Sequence, residues 1–549
     1  MGIPDAKKTQ KAIFDRSGDA KLFERNFDYI VAGAGNGGLG AALTLAKAGK
    51  KVLLIEQHNL PGGCATSFTR GRFEFDPSLH ELCSVGPESD PGNIRTLFED
   101  LGVSIDWVRI DDCFRVISTF SDGTPMDVTM PSGRTDFINK MEEYVPGSKP
   151  GMEKMFRLFD ETTRATDYFL ETKKQNVRYM IKNFPNFLKV GSYSVRSVFS
   201  ALRLPQKVQD ILSTYWTYLG VPLEHLSFFH YTNMVKTYVE KGAYIPRYRS
   251  HELSVKMIER FRKMGGTVLF NTRVESFTFE NGKISGVKTN RGNFNGTRFI
   301  ANINPDIVYG HMIPKQYVPS REKRLITARK GRYGARMIGL YVGLDKTAEE
   351  LGIRDYSLFM PGGADSAVEY SRIMHGMKTN EYMVTTCPNI AIPDFSPEGT
   401  CVYNINTLAS KEEWSKLEEK DYFSFKNMIA EKLLTQLRDR AGIDLFGHIE
   451  ELTVATPWTF ARYVGVPEGA VYGHETNSWD GIMARHMASD RESIPGLRIV
   501  GASGKNGAGY GCAYLSGVEE ATAMLRSEEA GEEVARCETF KGQRKAGKA

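Results

Sequence analysis

The chain has 549 residues with 71 Lys and Arg against 66 Asp and Glu, a net charge of +5 that is small for this length and argues against a general nucleic-acid binder. Seven cysteines, an odd count with no CxxC pair, disfavour a disulfide framework or a zinc site, and the ten histidines form no HxxH or HExxH, so no metal centre is expected. No run of eighteen apolar residues occurs and residues 1–26 are polar and charged, so the expectation is a large protein of a reducing, cytoplasmic compartment with at most a peripheral contact to the inner face of a membrane.

The first predicted elements carry the strongest signal. Tyr29–Ala32 reads as a strand, Gly33-Ala34-Gly35-Asn36-Gly37-Gly38 as a tight turn opening a helix, and Lys51–Ile55 as a second strand ending on Glu56. Gly33 allows the turn, Gly35 lets backbone approach a pyrophosphate, and Gly38 lets the helix pack on the strand. The helix start then offers free N–H groups and a positive end to that anion. Glu56, eighteen residues after Gly38, stands where a carboxylate would accept hydrogen bonds from both hydroxyls of an adenosine ribose; it would repel a ribose phosphate, which disfavours NADP. A second glycine pair, Gly62-Gly63, follows within seven residues of the acid and suits a longer cofactor lying along backbone; Phe73-Glu74-Phe75-Asp76 comes next.

Residues 172–209 hold Lys173, Lys174, Arg178, Lys182, Lys189, Arg196, Arg203 and Lys207 and no acid, interleaved with apolar residues. Val195, Val198, Phe199 and Leu202 fall at i, i+3, i+4 and i+7 with Arg196 and Arg203 off that stripe. Such a segment suits either a helix in an anionic membrane surface or a lid on a substrate domain. Farther on, a helix is predicted over 250–264, and Asn281-Gly282 between alternating runs marks a hairpin. Residues 335–344 and 400–406 read as strands and 422–440 as a helix. Leu497–Ala502 is a short strand leading into the glycine-rich loop Ser503–Cys512 and a helical run from Ala513 to about Met524, again an anion-binding start but with no second ribose acid. The tail 529–549 is charged.

Taken together, the two glycine motifs, the Phe-Asp that follows the first, Gly265–Val274, and Thr456-Pro457-Trp458-Thr459 with Arg462 and Gly469–Gly473 resemble the flavoproteins that include phytoene desaturases, carotenoid isomerases and retinol saturases, within the flavin amine oxidase-like superfamily. The resemblance implies an α/β fold: a Rossmann-like FAD-binding domain of glutathione reductase type from 25–90, 240–310 and 485–528, interleaved with an α+β substrate domain from 91–239 and 311–484. It implies FAD held by Gly33, Gly35, Gly38, Glu56, Gly62, Gly63, Val274, Gly501, Gly507, Gly509, Tyr510 and Gly511. The activity it implies is redox or isomerisation chemistry on C=C bonds of a lipophilic, conjugated substrate, with a separate electron donor or acceptor. Lys505, Tyr463, His474 and Glu475 are the candidate proton donors. Two other readings stay open, an amine oxidase-like enzyme and a non-enzymatic prenyl or lipid carrier of the GDP-dissociation-inhibitor type.

Three departures bear on the substrate. Lys505-Asn506 stands where the family usually has His-Pro, Gly511 where a further Pro is usual, and Pro77–Glu81 where a Gly is common. Lys505 and His80 would bring polar groups toward the flavin, which implies a substrate with a carbonyl, carboxylate or hydroxyl at its reacting end.

Overall fold

The computed structural model of the chain describes residues 26–172, 176–190, 193–474 and 492–546. Two seven-stranded sheets organise them. In the first, Asn26–Ala32 lies between Val52–Ile55 and Gly292–Ala301, all parallel, and Thr267–Leu269 and Leu497–Ile499 extend the parallel set. Val52–Ile55 is buried at every position, as a parallel strand covered on both faces must be. The expected hairpin forms from Val274–Glu280 and Lys283–Thr289, with Asn281 and Gly282 at φ 51° and 78°, the left-handed pair a type I′ turn requires.

Helices Asn36–Lys47, Asn93–Asp100, Arg249–Lys263 and Tyr510–Ala546 cover one face of this sheet around Leu39, Phe98, Phe261 and Tyr514. Val308 and Met312 pack on the other face. Boundaries at 90/91 and 310/311 therefore cut through packed units: Ile94, Leu97 and Phe98 belong to the dinucleotide-side core, a pairing of distant segments that no local pattern announces. The last helix starts at Tyr510 and runs on to Ala546, so the charged tail begins as its continuation.

The second sheet runs in the order Ile449–Ala455, Arg336–Leu344, Cys401–Ala409, Met383–Thr386, Ser357–Met360, Asp112–Thr119, Pro125–Pro131. Alternation along Arg336–Leu344 divides its two faces. Ile338, Leu340, Val342 and Leu344 meet Leu433, Leu434 and Leu437 of helix Tyr422–Ala441, while Met337 and Tyr341 point to the opposite side, onto a cavity. A helical layer closes that side, chiefly Lys149–Thr172 and Phe228–Lys241.

The basic segment divides in two. Lys173 and Lys174 lie outside the described residues. In Val195–Ala201 the apolar stripe faces inward: Val195, Val198 and Phe199 are buried and Leu202 packs against the same core. Those three side chains are committed to the core, so this helix is not the lipid-facing element. Arg196 pairs with Glu224 at 2.9 Å and Lys207 with Asp122 at 3.0 Å, both acids from outside the segment. The preceding helices Val177–Asn183 and Pro185–Val190 behave differently. Met180, Phe184 and Phe187 are buried, whereas Ile181, Leu188 and Tyr193 are about half exposed (57%, 47% and 56%) beside exposed Arg178, Lys182 and Lys189.

Candidate functional site

The turn after the first strand is built as the glycines require. Gly33 sits at φ +96°, and a Cβ on Gly38 would collide with the Gly33 backbone carbonyl, so any larger residue forces helix and strand apart. Gly35 is the N-cap of Asn36–Lys47 and no side chain caps this end, which leaves the first-turn N–H groups to an anionic ligand. The Asn36 Oδ1 is buried without a partner on the same cavity wall. The Glu56 carboxylate is braced from below, Oε2 accepting the Ala34 N–H at 2.7 Å and Oε1 the His58 N–H at 2.8 Å. Burial pushes its pKa up, and those backbone donors pull it back. Each oxygen keeps a lone pair for a ribose hydroxyl.

The second glycine pair and the C-terminal loop meet over this turn. Gly62 donates to the Ala34 carbonyl at 2.8 Å, and the Tyr510 hydroxyl donates to the Cys64 carbonyl at 2.7 Å. Gly63, Val274, Gly501, Gly507, Gly509 and Gly511 share the wall, and Tyr510 opens the last helix toward it. A phosphate cradle, a ribose acid and a second helix N-terminus on one wall fit a dinucleotide of FAD's length. Gly38 does not line the cavity; it sets the distance between helix and strand.

One cavity of about 1930 Å³ runs from Glu56 past Tyr218, Met337 and Tyr341 to Phe229 and Met234. Pockets for single small ligands hold about 300–1,000 Å³. This one has room for a dinucleotide and a long substrate end to end.

The four expected proton donors are not brought together. Lys505 does not line the cavity; it pairs with Glu519 at 3.0 Å and Glu520 at 3.2 Å. Burial opposes its charge, but Glu520 and Glu519 outweigh that and hold its pKa up. The cation is thus compensated within the last helix, which removes it as a partner for a substrate's polar end. Tyr463 is 57% exposed at the rim, its ring 6.2 Å from that of His58 and so beside the ribose acid. His474 is buried on the cavity wall, its Nε2 2.8 Å from Asp306 Oδ2 and its ring stacked on Tyr333 at 4.8 Å. Glu475 lies outside the described residues. Trp458 of the 456–473 stretch stacks on Tyr422 and is 38% exposed, whereas Val471, Tyr472 and Gly473 reach the cavity.

His80 does reach the wall, and with it come two residues that sequence reasoning passed over, Glu81 and Tyr218. The Tyr218 hydroxyl donates to Glu81 Oε1 at 2.7 Å and lies 3.3 Å from His80 Nδ1. The only local signal was a pair of polar residues, His80-Glu81, inside an otherwise apolar stretch; Tyr218 comes from a turn 137 residues away.

The family described as NAD(P)-binding Rossmann-like domain matches residues 31–101. Over 533 residues the chain is 26% identical to all-trans-retinol 13,14-reductase of Rattus norvegicus, covering 90% of this chain and 85% of that one. Over 514 residues it is 24% identical to the chloroplastic prolycopene isomerase of Daucus carota, covering 90% and 79%. A solved putrescine oxidase, studied for redesign of its cofactor binding, superposes with a TM-score of 0.59 at 14% identity over 91% of this chain and 99% of that one, a likeness of fold. By sequence, fold and the cradle just described, the chain is a homologue of proteins named all-trans-retinol 13,14-reductase, prolycopene isomerase and phytoene desaturase, with a Rossmann-like dinucleotide site.

Proposed function

We propose that the protein is an FAD-dependent oxidoreductase acting on C=C bonds of a lipophilic, conjugated, isoprenoid-like substrate. The observation that carries this reading is the single cavity, which joins the phosphate and ribose cradle at Gly33, Gly35 and Glu56 to a chamber walled by Met337, Tyr341, Phe229 and Met234. Bound FAD supplies two-electron exchange as a hydride at its N5. The chain's part is to hold the cofactor, exclude water and place an apolar substrate beside it. His80 on the wall keeps a polar reacting end on the substrate in play, whereas Lys505 does not.

The test is an absorption spectrum of the purified protein, then anaerobic reduction with dithionite and addition of polyenes and enones. Flavin bands are expected, and reoxidation by one class of conjugated substrate identifies saturation. Bleaching of the oxidised flavin identifies desaturation instead. Bleaching by amines alone would replace this reading with the amine oxidase one, and a colourless protein that FAD does not reconstitute would replace it with a lipid carrier.

The same reading includes delivery of the substrate from a membrane. Phe229, on the cavity wall, packs against the cluster of Met180, Phe184 and Phe187. The outer side of that layer carries exposed Ile181 and Leu188 among Arg178, Lys182 and Lys189. Aliphatic tips within a basic field suit an anionic bilayer surface, where each nearby Lys or Arg contributes about 1 kcal/mol. Among the described residues no helix is long and apolar enough to cross a membrane. Ile181→Asp with Leu188→Asp should lower binding to anionic liposomes by roughly tenfold or more, with FAD content unchanged. Equal flotation of variant and wild type would remove the membrane from the account.

A further inference from the structure

Residues 78–83 run beside the start of the last helix. Ser78 Oγ lies 3.0 Å from the Tyr510 hydroxyl, at the loop that completes the cofactor cradle. Tyrosines from separate elements pin the segment: Tyr356 donates to the His80 carbonyl, and Tyr238 to the Glu81 carbonyl at 3.4 Å. The Glu81 side chain is thereby fixed at the cavity wall, 6% exposed. Its Oε1 accepts the Tyr218 hydroxyl, and its Oε2 is buried with no partner. His80 Nε2 is likewise buried and unpartnered, while its Nδ1 faces the Tyr218 hydroxyl.

A carboxylate buried with one oxygen unpaired is costly. A neutral carboxyl has one acceptor occupied and one O–H to offer, which matches Glu81: Tyr218 bonds one oxygen, and the other is buried without a partner on a side chain of the cavity wall. A purely structural tie to Tyr218 would not need the second oxygen left without a partner.

We infer that Glu81 is the acid–base residue of the site, exchanging a proton between its Oε2 and a substrate carbon, with Tyr218 and His80 as the path that restores it. The inference rests on the C=C reading proposed above. Reduction of a C=C bond takes two electrons and one proton together as hydride, which is the share of a reduced flavin, and a second proton at the adjacent carbon. Glu81 Oε2 supplies that second proton and is left as a carboxylate. In the opposite direction the carboxylate receives the proton as the C–H bond breaks and hydride leaves to oxidised flavin.

The surroundings match this work. Burial pushes the Glu81 carboxyl up to about 7, against the opposing hydrogen bond from Tyr218. Burial lowers His80 to about 4, so near neutrality its ring is neutral and has both an N–H and a lone pair. The other titratable groups around Glu81 are the phenols of Tyr215, Tyr218, Tyr238, Tyr356, Tyr382 and Tyr472 and the thiols of Cys83 and Cys113, all pushed upward by burial. Within this ring Glu81 alone changes charge near neutral pH. Asp76, also raised to about 7, is bonded to Ser250 and lies off the cavity wall.

The experiment compares wild-type holoenzyme with Glu81→Gln and Tyr218→Phe. Infrared difference spectra between pH 5 and 9 should show two buried protonated carboxyls lost near neutrality, one component missing from Glu81→Gln and the other from an Asp76→Asn control. Glu81→Gln should keep its FAD and slow anaerobic flavin reoxidation by a reactive conjugated substrate on the order of a hundredfold or more. Tyr218→Phe removes the donor that steadies the carboxylate, so its rate should fall off at higher pH than in the wild type. A Glu81→Gln protein that is full of FAD and reacts at the wild-type rate would overturn the inference while leaving the reaction class standing. A wild type that exchanges electrons with no conjugated substrate would overturn the reaction class, and this inference with it.

Discussion

Gly38→Val should yield a protein that purifies without FAD. The Cβ it introduces meets the Gly33 carbonyl oxygen, a backbone atom at the end of the central strand, and no side chain can move to make room. Helix Asn36–Lys47 must then shift, and with it the uncapped N–H groups of its first turn that would receive a pyrophosphate. Glu56→Ala attacks the same site by other means. It removes the acceptor of the Ala34 and His58 N–H groups, leaving the buried Ala34 donor unsatisfied at about 1–3 kcal/mol and the half-buried His58 donor at less, in addition to any ribose contact. We expect at least a tenfold fall in the flavin-to-protein absorbance ratio for both after gel filtration, with near-native circular dichroism for Glu56→Ala. Stoichiometric FAD in Gly38→Val would mean that the cofactor lies elsewhere.

Asp76→Asn should remove a large pH dependence from stability. Asp76 is buried and accepts both the backbone N–H and the hydroxyl of Ser250; burial nonetheless pushes its carboxyl up to about 7 from an ordinary 3.8. Between those values the folded state holds a proton that the unfolded chain has released, so stability falls as pH rises from about 4 to about 7. At 1.36 kcal/mol per unit the loss is of order 4 kcal/mol. Glu81, raised to about 7, acts in the same sense. His80, lowered to about 4, acts in the opposite sense between pH 4 and 6.5, because the unfolded chain takes up the proton there. The informative quantity is therefore the difference between Asp76→Asn and wild type in urea titrations at pH 5 and pH 8: the variant should gain on the wild type by about 3 kcal/mol across that interval. Parallel curves would mean that Asp76 is ionised in the folded protein throughout.

What was legible in the chain was whatever depends on neighbours within a few residues. The glycine spacing and the acid at the end of the second strand could be read directly, because a turn, a helix start and a strand end are set by local backbone geometry. The Asn281-Gly282 hairpin was legible for the same reason, since left-handed backbone selects those residues. The segment 172–209 was only half legible. Its stripe at Val195, Val198 and Phe199 was real, yet periodicity states that a helix has an apolar face and not what covers it. Arg196 and Lys207 looked uncompensated because their acids, Glu224 and Asp122, lie outside the segment.

The candidate proton donors show the same limit. Lys505, Tyr463 and His474 have proton-transfer chemistry and stand near the motifs, but a side chain's role depends on what faces it across the fold. For Lys505 that is Glu519 and Glu520, and for His474 it is Asp306. Glu81 became visible only when Tyr218 was folded against it and burial altered its carboxyl. By itself, then, the sequence determined that this protein builds a Rossmann-like dinucleotide cradle, because that cradle is short-range backbone geometry. Which side chains share the cavity, and in which charge state, was decided by tertiary structure alone, because desolvation and pairing are sums over groups far apart in the chain.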